Sequence, residues 1–345
     1  MRLSYKVYLF LAGIVLLSVP ASCNRNYYDH YKIPDDAVVL ETQVAEAYGN
    51  ADGIVTLISD DGFYESGVYF NDLLGKYRLK GTVAGSVCFV DPDINGWNQI
   101  LADGNIELVN HSYGHKTMAQ GTPISNNYFS LMHQIVDSDK YFERKFGTEQ
   151  IVFVWPENAM CDKGYSILKD NGFWASRSDV RGFNSLSPED GREPGEWYGL
   201  CLYGIKDDGV DAYVRNVWID TAAEEKTWLI EMWHWILPED NGLFQTMLVD
   251  EAAEHMAYIE SKVNEGVIWN ADFTDAVKYI REKQNCNVYS FMTGNQLHIY
   301  VELTNKDMSY DTFNHPLTIG VILPSEKETV YYDVIPGEEL VVNLD

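Results

Sequence analysis

The sequence predicts an α/β fold, a distorted or incomplete (β/α) barrel with a small C-terminal antiparallel β module. Three observations lead there. Between residues 51 and 284, short apolar runs alternate with segments of helical spacing, the pattern of a parallel sheet crossed by helices, either a barrel or a doubly wound sheet. Asp60, Asp61, His111, Pro156 and His234 all fall at or near the C-terminal ends of predicted strands. That rim is where a β/α barrel gathers its reactive residues, so the barrel is favoured. From residue 285 to 345 the helical spacing stops and short strand-like runs take over.

The chain begins with Arg2 and Lys6, an apolar stretch from Val7 to Val19, and Pro20-Ala21-Ser22-Cys23. A basic start, a short apolar run and small residues at a boundary make a secretory signal peptide over residues 1–23, too short for a membrane span. Cys23 resembles the lipidation cysteine of a bacterial lipoprotein, with Pro20 where that motif usually has leucine. The expected location is therefore outside the cytoplasm, lipid-anchored at the periplasmic or outer face of a bacterial membrane; simple cleavage is the alternative. Residues 24–50, with Tyr27, Tyr28 and Tyr31, read as an N-terminal extension acting partly as a tether.

Within the barrel region, Gly53 to Ile58 is a continuous apolar run, as in a strand covered on both faces. Tyr69 to Tyr77 has helical spacing; Gly81 to Val90 and Ile106 to Asn110 read as the next strands. Asn126 to Phe146 reads as one long amphipathic helix with Phe129, Met132, Ile135 and Val136 on its apolar face. Ile151 to Trp155 is a strand stopped by Pro156, Lys163 to Asn171 a helix closed by Gly172, and Phe173 to Ser176 a strand. Thr227 to Ile236 and Val267 to Asn270 supply two more strands, and Phe273 to Gln284 the last helix. The module at residues 285–345 consists of runs beginning at Asn287, Gln296, Leu317, Val330 and Glu339, separated by turns such as Gly294-Asn295 and Pro336-Gly337. A packing partner for the barrel or a carbohydrate-binding appendage would both suit it.

Composition narrows the function. The chain has 345 residues, 46% hydrophobic, which is a globular composition. Its 52 acidic against 25 basic side chains give a net charge of -27. Such a surface repels phosphate backbones and anionic lipid heads, so nucleic acid is not an expected partner and membrane contact is expected only through the lipid anchor. The 9 Trp and 23 Tyr serve first as core, and also suit sugar-binding clefts. Cys88, Cys161, Cys201 and Cys286 form no Cys-x-x-Cys pair, so a zinc–cysteine cluster is not indicated. Buried free thiols are expected, with disulfides open to an exported protein. The sequence is silent on oligomeric state.

Asp60-Asp61-Gly62 and His111-Ser112-Tyr113-Gly114-His115 carry the chemistry. Together they supply one spare carboxylate, one carboxylate ligand and two imidazoles. That inventory suits one divalent metal ion with three protein ligands, an open position, and a base beside it. Zinc is expected first; cobalt, nickel, manganese or iron also suit two His and one Asp.

Thr56-Leu57-Ile58-Ser59-Asp60-Asp61-Gly62 resembles the first motif of the NodB-type polysaccharide deacetylases, the family 4 carbohydrate esterases. His111-Ser112-Tyr113-Gly114-His115 resembles their second motif, and Trp233-His234 their final Leu-x-His. Val267-Ile268-Trp269 with Phe273 to Glu282 is similar to the closing strand and helix of some members. The resemblance covers roughly residues 50 to 284. It implies a metal-dependent deacetylase acting on an N- or O-acetylated polysaccharide or oligosaccharide. Asp61, His111 and His115 would hold the metal, Asp60 would take a proton from the activated water, and His234 would protonate the leaving amine or alcohol. The family's third motif usually has an arginine two residues before a proline. Here Phe153-Val154-Trp155-Pro156 lacks it, and Glu157 follows where an aromatic residue is common. Arg177 or Arg181 could substitute, and Asp179 could orient His234. The departure leaves a second reading, a catalytically impaired glycan-binding protein that retains the barrel.

Overall fold

The computed structural model describes residues 31–188, 195–323 and 329–344, without the side chains of residues 158, 179, 195 and 196. Residues 1–23 with Cys23 lie outside the described residues. Seven parallel strands close on themselves: β1 (Gly53–Ser59), β2 (Gly81–Gly85), β3 (Ile106–Asn110), β4 (Val152–Val154), β5 (Ala175–Arg181), β6 (Leu200–Gly204) and β7 (Thr227–Trp233). Each pairs with the next, and β7 returns to β1 with Trp228 opposite Ile54 and Trp233 opposite Ser59. All seven residues of β1 are buried. Val55 and Leu57 pack with Leu229 towards the surrounding helices, while Ile54 and Ile58 share the other face with Trp228, Ile230 and Met232. Burial on both faces is why β1 reads as an unbroken apolar run.

The distortion has a specific cause. A short strand, β8 (Ile268–Asn270), pairs parallel with the first half of β1, whereas β2 pairs only with Ile58 and Ser59 at its end. Asn270 fills the gap between β1 and β2: its Nδ2 donates to the carbonyls of Val55 (3.2 Å) and Lys80 (3.1 Å), and its Oδ1 accepts from Lys80 N–H (2.6 Å). A side chain thus supplies the hydrogen bonds that ladder pairing cannot.

Several elements differ from expectation. β2 ends at Gly85, and Val87–Val90 is a helical turn. The chain is diverted there because Ser86 N–H bonds the Asp61 carbonyl (3.0 Å) and the Ser86 carbonyl accepts from Phe89 and Val90. The long helix is two α segments, Tyr128–Met132 and Ser138–Phe146, joined by a π turn at His133–Asp137. The extra residue rotates the face, so Leu131, Ile135 and Val136 are buried while Phe129 is 83% exposed. β6 and the helices Ala212–Glu224 and Val249–Asn264 complete the barrel without having been anticipated.

The C-terminal module is antiparallel throughout. β9 (Cys286–Thr293), β10 (Gln296–Leu303) and β13 (Glu339–Asn343) form one sheet, with Val38–Val39 on its edge. β11 (Leu317–Ile322) pairs with β12 (Thr329–Val334) and with Thr42–Val44. Residues of the N-terminal extension are therefore strands of both sheets. Residues 33–345 belong to one compact unit. No helix of the described residues is long and apolar enough to cross a membrane.

Candidate metal centre

Asp60 and Asp61 follow directly on β1, His111 on β3, and His234 on β7. Asp60 continues the strand pairing, its N–H donating to the Trp233 carbonyl (2.8 Å). At Asp61 the backbone turns to φ 76°, and Gly62 follows at φ 86°. A Cβ on Gly62 would meet Gly85 Cα and Val90 Cγ2 at 2.9 Å, so glycine is required where β1 turns past β2.

Asp61, His111 and His115 each offer one ligand atom, all within 4.8 Å of one another. His111 is buried, and its Nδ1 lies 2.8 Å from the Val154 carbonyl. The ring must donate there, which leaves the Nε2 lone pair facing Asp61 Oδ1 at 3.8 Å. A metal-binding histidine is oriented by such a backbone acceptor. His115 Nε2 lies 2.8 Å from the same Asp61 oxygen. One carboxylate and two imidazoles, one already in the ligating tautomer, fit a divalent transition ion.

The electrostatics fit as well. Burial works against ionisation of Asp61, but the His115 hydrogen bond and the His111, His115 and His234 rings hold its carboxyl below the usual range. Burial pushes His111 down to about 4 despite Asp60 and Asp61, so it is neutral and ready to ligate. For His115 burial is outweighed by the bond to Asp61, and its value is raised.

Beside the triad, Arg177 reaches from β5 to Asp60 with two parallel hydrogen bonds, Nη1 to Oδ1 (3.0 Å) and Nη2 to Oδ2 (2.7 Å). The arginine is fully buried and Asp60 only 4% exposed. The arginine comes from the strand next to the one that precedes Pro156. Arg181 instead pairs with Asp207 at 2.7 Å. Trp155 is a core residue, its Nε1 donating to Ser176 Oγ (3.0 Å), and Pro156 begins a short turn that puts Glu157 at φ 51°. The side chain of Asp179 is outside the described residues.

His234 is held through its main chain. Its carbonyl accepts from Ser59 Oγ (3.2 Å) and Ser66 Oγ (3.0 Å). Its Nδ1 is buried without a hydrogen-bond partner among the described residues. Phe244, 67% exposed, stands edge-on to its ring at 4.9 Å. A row of aromatic rings flanks the triad: Phe89 lies 5.7 Å from His115 and 4.8 Å from Phe63, which stacks on Trp235 at 4.1 Å. The sequence reading missed Phe63, Phe89 and Phe244. Their position next to Gly62, in the turn after β2 and beyond His234 is the signal that would have found them.

Fold and site define a (β/α) barrel with a candidate metal centre on the C-terminal rim of its strands. No family profile and no curated protein matches the chain. Among solved structures it is similar to a family 4 carbohydrate esterase from Streptomyces lividans in complex with acetate, at 12% identity over 64% of this chain and 93% of that one (TM-score 0.44). It is also similar to a family 4 acetyl xylan esterase from Clostridium thermocellum in complex with a cobalt ion, at 16% identity over 65% and 89% (TM-score 0.44). A third is a CE4 family pseudoenzyme from Bacillus anthracis, at 14% identity over 67% and 66% (TM-score 0.45).

Proposed function

We propose that this chain is a metal-dependent deacetylase that removes acetyl groups from an N- or O-acetylated polysaccharide or oligosaccharide. The observation that carries the reading is the Asp61–His111–His115 triad with the Arg177-braced Asp60 beside it. A divalent ion bound by the triad, zinc first, supplies Lewis acidity and lowers the pKa of water to about 7. Arg177 fixes the direction of the Asp60 carboxylate, which takes the proton of the attacking water. The water oxygen bonds to the acetyl carbonyl carbon and the carbon–nitrogen or carbon–oxygen bond breaks. His234 hands a proton to the departing amine or alcohol, leaving acetate and the free sugar group. The aromatic row from Phe89 to Trp235 offers apolar faces to the C–H surface of a sugar ring. The second reading, glycan binding without turnover, rests on the missing third-motif arginine; the Arg177–Asp60 hydrogen bonds support the hydrolytic one.

Acetate release from N-acetylglucosamine oligomers and acetylated xylan, with added zinc or cobalt, tests the proposal. Asp60→Asn should lower turnover by about 10²–10⁴-fold while metal content stays at the wild-type level. Unchanged turnover would sink the base assignment. Wild type that binds metal and glycan but releases no acetate would leave the binding protein. Lipid anchoring of an exported chain is part of the same proposal, resting on Arg2, Lys6, the apolar run and Cys23. Cys23→Ser should abolish fatty-acid labelling; labelling that persists would reject it.

A further inference from the structure

The loop carrying His115 is strained yet fully paired. Ser112 at φ 80° and His115 at φ 49° lie in the left-handed region, where a residue with a Cβ needs outside support. Ser112 N–H donates to Asn110 Oδ1 (2.9 Å), Tyr113 N–H to the Gln134 carbonyl (3.0 Å), Gly114 N–H to Gln134 Oε1 (2.9 Å), and His115 N–H to Ser112 Oγ (3.1 Å). Two of these four bonds come from Gln134, one from its main chain and one from its side chain. The Tyr113 ring also lies against His133, centroid to centroid 4.3 Å.

Gln134 can offer its carbonyl because the helix is not α at this point. In an α-helix that carbonyl would accept from the N–H of residue 138. Here His133–Asp137 is a π turn, and Ser138 N–H goes to the Ile135 carbonyl instead. The Ser138 hydroxyl sits within hydrogen-bond distance of Asn110 Oδ1 (2.8 Å) and of the carbonyls of Gln134 (2.7 Å) and Ile135 (2.9 Å). Asn110 Nδ2 closes the network on the Ile135 carbonyl (3.0 Å). Single π turns of this kind cluster at functional sites.

The two histidines differ in what holds them. His111 is oriented through its own ring by the Val154 carbonyl. The ring partner of His115 is Asp61, itself a candidate ligand, so its placement depends on the shape of its loop.

We propose that the π turn is the positioning device of the metal centre: Gln134, by holding Tyr113 and Gly114, pre-shapes the Ser112–His115 turn so that His115 faces Asp61 before an ion arrives. Gln134 is a positioning residue and sets the metal affinity. The inference rests on the reading of Asp61, His111 and His115 as metal ligands. Cobalt titration of metal-free protein tests it, followed by visible absorption and calorimetry, for wild type, Gln134→Met, Gln134→Glu and Ser138→Ala. Gln134→Met keeps the volume and loses the acceptor; it should weaken cobalt binding about tenfold to a hundredfold while the metal-free protein unfolds within a few degrees of wild type. Gln134→Glu keeps an acceptor oxygen at the same reach and should restore near-wild-type affinity. Ser138→Ala should weaken binding in the same direction. If Gln134→Met binds cobalt as tightly as wild type, the proposal is overturned; should that variant fail to fold, unchanged affinity in Ser138→Ala overturns it. Wild type that binds no cobalt removes the metal reading and this inference together, a result distinct from both.

Discussion

Asp60 and Arg177 are almost wholly removed from water and joined by two hydrogen bonds. Arg177→Met would leave a buried carboxylate unpaired and should cost about 3–5 kcal/mol in urea unfolding. Asp60→Asn combined with Arg177→Met should lose less than the sum of the two single changes; strict additivity would mean that the pair does not act as a unit. His115 gives a pH signature. Its folded value is raised, so the stability it contributes to the metal-free protein is present below about 6.5 and lost as pH rises through that higher value. A ligating imidazole must be neutral, so zinc binding should expel about one proton near pH 6.5 and strengthen as pH rises. Calorimetry in buffers of different ionisation enthalpy measures this; no proton release would show that His115 does not ligate. At this scale the candidate ligands were legible because Asp-Asp-Gly and His-x-x-x-His are local patterns. The Asp60 brace was legible only as far as Arg177 or Arg181: both lie in one strand, and the register shift of β5 between them in the closed barrel is not a local pattern.

Element by element, a continuous apolar run announced β1 because that strand is covered on both faces. β6 escaped notice since Leu-Cys-Leu-Tyr-Gly buries only alternate residues. The helix Ala212–Glu224 escaped because its buried positions, Arg215, Ile219 and Ala222, include a charge and form a narrow stripe. The helix Phe273–Gln284 hides a buried acid. Glu282 is fully buried, its Oε1 accepting from His315 N–H (3.0 Å) and its Oε2 without a partner among the described residues. Burial pushes its carboxyl up to about 8 from an ordinary 4.5. A raised folded value means that stability is full below pH 4.5 and falls as pH climbs towards 8, by at most about 1.4 kcal/mol per pH unit. Glu282→Gln should flatten that slope and be more stable than wild type at pH 9. Parallel stability–pH curves for the two proteins would reject the assignment.

For the molecule as a whole, the C-terminal sheets depend on the other end of the chain. Thr42–Val44 pairs with β11 and Val38–Val39 with β9, a dependence invisible in the sequence because neither short segment has a strand's length or periodicity. Removing residues 33–44 should lower the thermal midpoint by roughly 5 °C, the equivalent of about 2 kcal/mol in a chain this size, and expose two sheet edges that favour association. An unchanged midpoint, measured by calorimetry, would mean that those pairings contribute little.

Ser59 meets the His234 carbonyl across a sequence separation of 175 residues, and the parts of the site come in chain order: Asp60 and Asp61, then His111 and His115, then Arg177, and His234 last. A chain emerging from its N-terminus therefore carries every candidate metal ligand long before it owns His234, the proposed proton donor. If the proposed function holds, the fold keeps time for the chemistry, since hydrolysis would begin only when the final barrel strand docks against the first.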